Sequence, residues 1–101
     1  MVDRECLELI EKLKKYSANA DEKLIEKAYN TAKKAHGDQH RYSGEPFFVH
    51  PYQVATILAE LEMDSQTIAA GLLHDIVEDT EYTAERMDEE FGKEVSFKRL
   101  I

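Results

Sequence analysis

The chain predicts an all-α fold, and three observations carry that expectation. Apolar residues recur at three- and four-residue spacing along most of its length, no stretch alternates apolar and polar in the period of a strand, and capping residues and glycines punctuate it at helix-length intervals. Asp3 opens the first helix, in which Cys6, Leu9, Ile10 and Leu13 keep the helical spacing. Ser17-Ala18-Asn19 interrupts it, and Asn19 with Glu22 three residues on has the form of a capping box for the second helix. Leu24, Ala28, Ala32 and Ala35 make a narrow stripe there that lets a neighbouring helix come close, and Gly37 is placed to end it in the left-handed region. His36 to Pro51 is the one long irregular stretch, with Ser43-Gly44-Glu45-Pro46 as its turn.

His50-Pro51 opens the third helix, because proline is tolerated at the first helical position, and Val54, Ile57, Leu58 and Leu61 form its expected inward face. Asp64 caps a fourth helix expected to run to Asp79-Thr80, with Ile68, Leu72 and Ile76 inward. Thr83 caps a short acidic fifth, Met87 and Phe91 face its core side and Gly92 closes it, and Lys93 to Ile101 is a candidate sixth.

Composition narrows the class. At 101 residues, with 43% hydrophobic and 34% charged residues, the chain reads as a single small globular domain. The lone cysteine, Cys6, allows no internal disulfide and agrees with a reducing, cytoplasmic setting. The longest strictly apolar run is the six residues Ile68 to Leu73, so neither a membrane span nor a signal peptide is expected. The net charge of −8 falls entirely in the second half: basic and acidic residues balance up to Ala59, and acids dominate from Glu60 onward. That distribution lacks the basic footprint of a nucleic-acid binder.

Residues 71 to 80, Gly-Leu-Leu-His-Asp-Ile-Val-Glu-Asp-Thr, concentrate the chemistry. On a continuous helix His74 and Glu78 share a face, as do Asp75 and Asp79, so one turn offers an imidazole and three carboxylates to one small volume. Clustered carboxylates repel when desolvated unless a cation or proton compensates them. Imidazole with carboxylate suits a first-row divalent metal, and spare carboxylates suit activation of a water beside it. The bland reading is a solvated helix end. The apolar approach, the Glu78-Asp79 pair and a second histidine upstream, His50, argue against that reading. His36, His40 and Arg41, with Lys33 and Lys34, form the only local basic concentration, which is either a phosphate-binding patch or a loose surface group. Arg41 is its best phosphate candidate, because a guanidinium binds phosphate bidentately or stacks on a base.

His40-x-Tyr42-Ser43-Gly44-Glu45-Pro46, His50-Pro51 and Leu72-Leu73-His74-Asp75-Ile76-Val77-Glu78-Asp79-Thr80, in that order, resemble the N-terminal hydrolase domain of the Rel/Spo alarmone synthetase–hydrolases and the small alarmone hydrolases related to it. These belong to the HD metal-dependent phosphohydrolases, and the likeness runs from about Leu24 to Val95. The resemblance implies an HD-type helical bundle that removes pyrophosphate from the 3′ position of (p)ppGpp, usually with Mn²⁺, in the cytoplasm. It implies His50, His74 and Asp75 as metal ligands, Glu78 and Asp79 as the groups that handle the attacking water and the leaving-group proton, and Arg41 and Ser43 as nucleotide contacts. Tyr42 either stacks on a base or covers the core.

The pattern departs from the family in one respect. A further aspartate ligand is expected on a later helix, and Ser96-Phe97-Lys98-Arg99-Leu100-Ile101 does not match the run that leads to it. Residues 1–101 are therefore expected to form one HD-type domain incomplete on its C-terminal side, weak in metal binding and with little hydrolase activity alone. Exposed apolar faces are expected to favour self-association. Two other functions stay open: a non-catalytic alarmone- or metal-binding fragment of a synthetase–hydrolase, and an HD hydrolase of another nucleotide.

Overall fold

The computed structural model describes residues 3–37, 39–40 and 44–98. They form helices α1 (Arg4–Tyr16), α2 (Glu22–His36), α3 (Val49–Glu60), α4 (Ser65–Leu73), α5 (Ile76–Asp79) and α6 (Ala84–Lys98). Among the described residues the only extended pairing is an isolated antiparallel bridge between His40 and Pro46. The all-α expectation therefore holds.

The core is built around α4. Every residue from Ile68 to Leu73 is buried, so this part of the helix is apolar all round, as a central element must be. α2 and α3 pack against it, α6 covers another side, and α1 lies on α2 and α3. Small residues make these approaches possible. A Cβ added to Gly71 would stand 2.6 Å from Leu58 Cδ1, so the end of that side chain would have to shift, while the α3 backbone at Ala55 lies 3.8 Å away. α3 in turn presents Pro51, Ala55 and Ala59 to the core. This corrects the expected inward face: Ile57 and Leu61 are exposed, at 55% and 61%, and Val54 and Leu58 are half-buried.

The caps are mostly as expected. Asp64 accepts from the Thr67 N–H at 2.8 Å, and Thr83 Oγ1 accepts from the Arg86 N–H at 3.1 Å. α2 departs from the expectation: its cap is Asp21, which accepts from the Leu24 N–H, and not Asn19. The backbone N–H of Asp21 also donates to Ser65 Oγ, tying the starts of α2 and α4 together. Leu24 and Ala35 are only half-buried, and the buried face of α2 is Ile25, Ala28, Tyr29, Ala32 and His36. Gly92, at φ +86°, breaks α6 into the two pieces anticipated around it. Cys6 is fully buried in α1, and desolvation pushes its thiol up to about 11, which makes it a packing residue rather than a nucleophile. No helix among the described residues is long and apolar enough to cross a membrane.

Candidate metal centre

The largest departure from the sequence reading is also what builds the site. α4 does not continue through to Asp79: it ends at Leu73, and His74 and Asp75 form a turn before the four-residue α5. The imidazole helps make this break. His74 Nδ1–H donates to the Gly71 carbonyl at 2.6 Å, the oxygen that the Asp75 N–H would take in a continued helix. With Nδ1 holding the proton in the neutral ring, Nε2 is left as a bare acceptor.

That Nε2 lies 3.0 Å from Asp75 Oδ2, and His50 Nε2, in the first turn of α3, lies 3.9 Å from the same oxygen. The ring centroids of His50 and His74 are 5.5 Å apart. One ligand atom from each of His50, His74 and Asp75 falls within 4.8 Å of the others, and all three side chains are half-buried. The contact between His74 and Asp75 sets a lone pair of a neutral imidazole against a carboxylate, which repels unless a proton or a cation lies between them. Two imidazoles and a carboxylate suit a first-row divalent ion. A hydrogen bond from the far nitrogen of a ligand histidine to a carbonyl is the usual support for such a site. The donor set fits a divalent metal.

Glu78 and Asp79 sit on α5, both exposed and outside this three-residue cluster, and the Asp79 N–H closes a helical turn on the Asp75 carbonyl at 2.9 Å. Arg41, Tyr42 and Ser43 lie outside the described residues. The ends of their loop are pinned by the His40–Pro46 bridge and by the Phe47 N–H, which donates to the Gln39 carbonyl at 2.8 Å.

The basic concentration expected upstream disperses. Lys33 pairs with Asp3, whose carboxyl it holds below the usual range. His36 is 1% exposed and stacks on Phe47, with ring centroids 4.8 Å apart. Burial lowers its pKa, against the opposing influence of Gln39, Asp75 and Asp79. Its Nδ1 faces Gln39 Oε1, and Gln39 Nε2 donates to the Asp79 carbonyl at 3.1 Å. Sequence reasoning missed Gln39 altogether; its position three residues after a buried histidine gave no periodic signal. A cleft of about 520 Å³ between α2 and α6 begins one residue past Asp79, lined by Asn30, Thr31, Lys34, Thr80 and Arg86 among others. The His50–His74–Asp75 cluster lies outside its lining.

An all-helical core with a His-Asp pair at a helix break, joined by a histidine from a second helix, has the form of an HD-type domain. The chain belongs to the HD domain family, whose profile matches residues 28–97. Its curated relatives include the guanosine-3′,5′-bis(diphosphate) 3′-pyrophosphohydrolase of Aquifex aeolicus, 50% identical over 84 residues, which are 83% of this chain and 12% of the relative. The probable guanosine-3′,5′-bis(diphosphate) 3′-pyrophosphohydrolase of Mycoplasma pneumoniae is 55% identical over 73 residues, 72% of this chain and 10% of that protein. The GTP pyrophosphokinase rsh of Brucella ovis is 46% identical over 88 residues, 87% of this chain and 12% of that protein. The chain spans about a tenth of the length of these relatives.

Proposed function

We propose that this chain is a (p)ppGpp 3′-pyrophosphohydrolase domain dependent on a divalent metal, Mn²⁺ by resemblance. One observation carries the reading: His50 from a helix and His74 and Asp75 from a turn converge in an arrangement that is electrostatically unfavourable unless a proton or a cation lies between them. The names of the Aquifex and Mycoplasma relatives support the substrate. His50 and His74, each through Nε2, and Asp75 through Oδ2 hold the ion. A bound divalent ion supplies positive charge against the diphosphate and makes a nearby water easier to deprotonate.

Glu78 and Asp79 orient that water, take its proton and return one to the ribose 3′ oxygen as the bond from that oxygen to phosphorus breaks and pyrophosphate leaves. Arg41 and Ser43 contact the nucleotide, bringing positive charge to an acidic domain. The setting is cytoplasmic, in keeping with a single buried thiol. The exposed Ile57 and Leu61 form the face for self-association.

The test is Mn²⁺-dependent release of pyrophosphate from (p)ppGpp, followed in the chain and in the chain extended by the residues that follow the matched segment in the Aquifex relative. Slow release from the first and faster release from the second is the expected result. No release from either at any Mn²⁺ concentration would overturn the assignment.

A further inference from the structure

α5 carries both proposed acid–base residues and is ill-suited to hold them unaided. Four residues cannot sustain a helix on their own, and Ile76 is its only buried side chain. Among the described residues, one group from another element hydrogen-bonds its backbone: the Gln39 side chain, whose Nε2–H donates to the Asp79 carbonyl at 3.1 Å. Gln39 is itself held on both sides, its N–H donating to the His36 carbonyl at 3.0 Å and its own carbonyl accepting from Phe47.

Once the amide nitrogen of Gln39 is committed to Asp79, its oxygen is turned toward His36 Nδ1, at 3.5 Å. That oxygen can only accept, so Nδ1 carries the proton and Nε2 is a bare acceptor. Nε2 is buried and has no partner among the described residues. An apolar side chain would fill this space under Phe47 without leaving a polar atom unsatisfied, and an unsatisfied buried group is costly. Among the described residues the polarity of the ring is used at one place, on Gln39.

We propose that His36, acting through Gln39, is a positioning residue for Glu78 and Asp79. The relay runs from the buried imidazole to the Gln39 amide, to the carbonyl at the end of α5, and so to the orientation of the two carboxylates on that turn. It rests on the reading of Glu78 and Asp79 as the acid–base pair.

The test compares the wild-type chain with Gln39→Ala, His36→Leu and His36→Asn, the last of which keeps a donor near the place of Nδ1. The first readout is amide hydrogen exchange at Asp79 and Thr80, whose N–H groups close α5 on Asp75 and Ile76. Loss of one hydrogen bond is expected to speed it about fivefold in Gln39→Ala and His36→Leu, with little change in His36→Asn. Unchanged exchange in α4 shows that the core is intact. The second readout is single-turnover pyrophosphate release from (p)ppGpp with Mn²⁺, expected to fall in rate at saturation in the same two variants while half-saturation stays put.

Normal exchange in Gln39→Ala, a surface change that keeps the core whatever becomes of His36→Leu, would overturn the relay. Faster exchange with an unchanged saturating rate would overturn its role in positioning. A wild-type chain that releases no pyrophosphate counts against the acid-pair reading, whereas the tether is decided by exchange.

Discussion

His74 does two jobs with one ring. Nδ1 ends α4 by taking the Gly71 carbonyl, and the same bond fixes Nε2 as the acceptor that faces Asp75 and His50. His74→Ala should therefore cost more than a ligand: calorimetry is expected to show Mn²⁺ affinity down at least 10- to 100-fold, the range seen for mere support residues. Equal affinity in wild type and variant would mean that the cluster is not a metal site. Glu78→Gln keeps shape and loses the ability to take a proton. It should lower (p)ppGpp turnover by roughly 10²- to 10⁴-fold and leave Mn²⁺ binding nearly unchanged; undiminished turnover would move the role to Asp79. His36 gives a pH signature. Burial holds its folded pKa below the ordinary 6.5, so above pH 6.5 it is neutral in both states and costs nothing. As pH falls below 6.5 the unfolded chain takes up a proton that the folded chain refuses, and stability drops until the folded pKa is reached. Denaturation followed from pH 7 to 5 should show a shallower decline in His36→Asn than in wild type.

At the scale of the element, the legible parts were those where one rule acts alone. The apolar stripe of α1, the caps at Asp64 and Thr83, and the break at Gly92 follow from spacing and turn chemistry. α3 was misread because its large aliphatic residues suggested a face, whereas close approach to α4 is made through Pro51, Ala55 and Ala59 opposite Gly71. The break between α4 and α5 was not legible, since neither glycine nor proline marks it and a side-chain hydrogen bond replaces the helical one. His50, His74 and Asp75, far apart in the sequence or side by side in it, do come together in space, whereas Glu78 and Asp79 lie outside that cluster on the turn that follows. The turn after α3 holds a correctable strain. Glu62 sits at φ +59° while the next N–H, of Met63, donates to the Leu58 carbonyl. Glu62→Gly should stabilise the chain by about 1 kcal/mol, because a side chain there is penalised in the left-handed region. A lower midpoint in denaturant would show that Glu62 contributes something its backbone does not reveal.

At the scale of the whole molecule, burial is uneven. The α4 side of the bundle is closed, while Ile57, Leu61 and Phe97 remain exposed, Phe97 at 66%. Each apolar Å² left in water forgoes about 25 cal/mol, and small domains keep only a few kcal/mol in reserve. Concentration-dependent association is therefore expected in sedimentation, and Ile57→Gln with Leu61→Gln should abolish it. A wild-type chain that stays monomeric at high concentration would show that this face is tolerated in water. The bundle nevertheless brings a histidine from α3 to a His-Asp turn after α4, and the functional account rests on that convergence. It is tested most directly by titrating Mn²⁺ into the isotope-labelled chain and following histidine ring signals by NMR. The account predicts that the His50 and His74 rings broaden first, at substoichiometric metal, while His40 on its exposed loop is affected last. Broadening that begins on the acidic face of α6, or reaches all the histidines together, would contradict it.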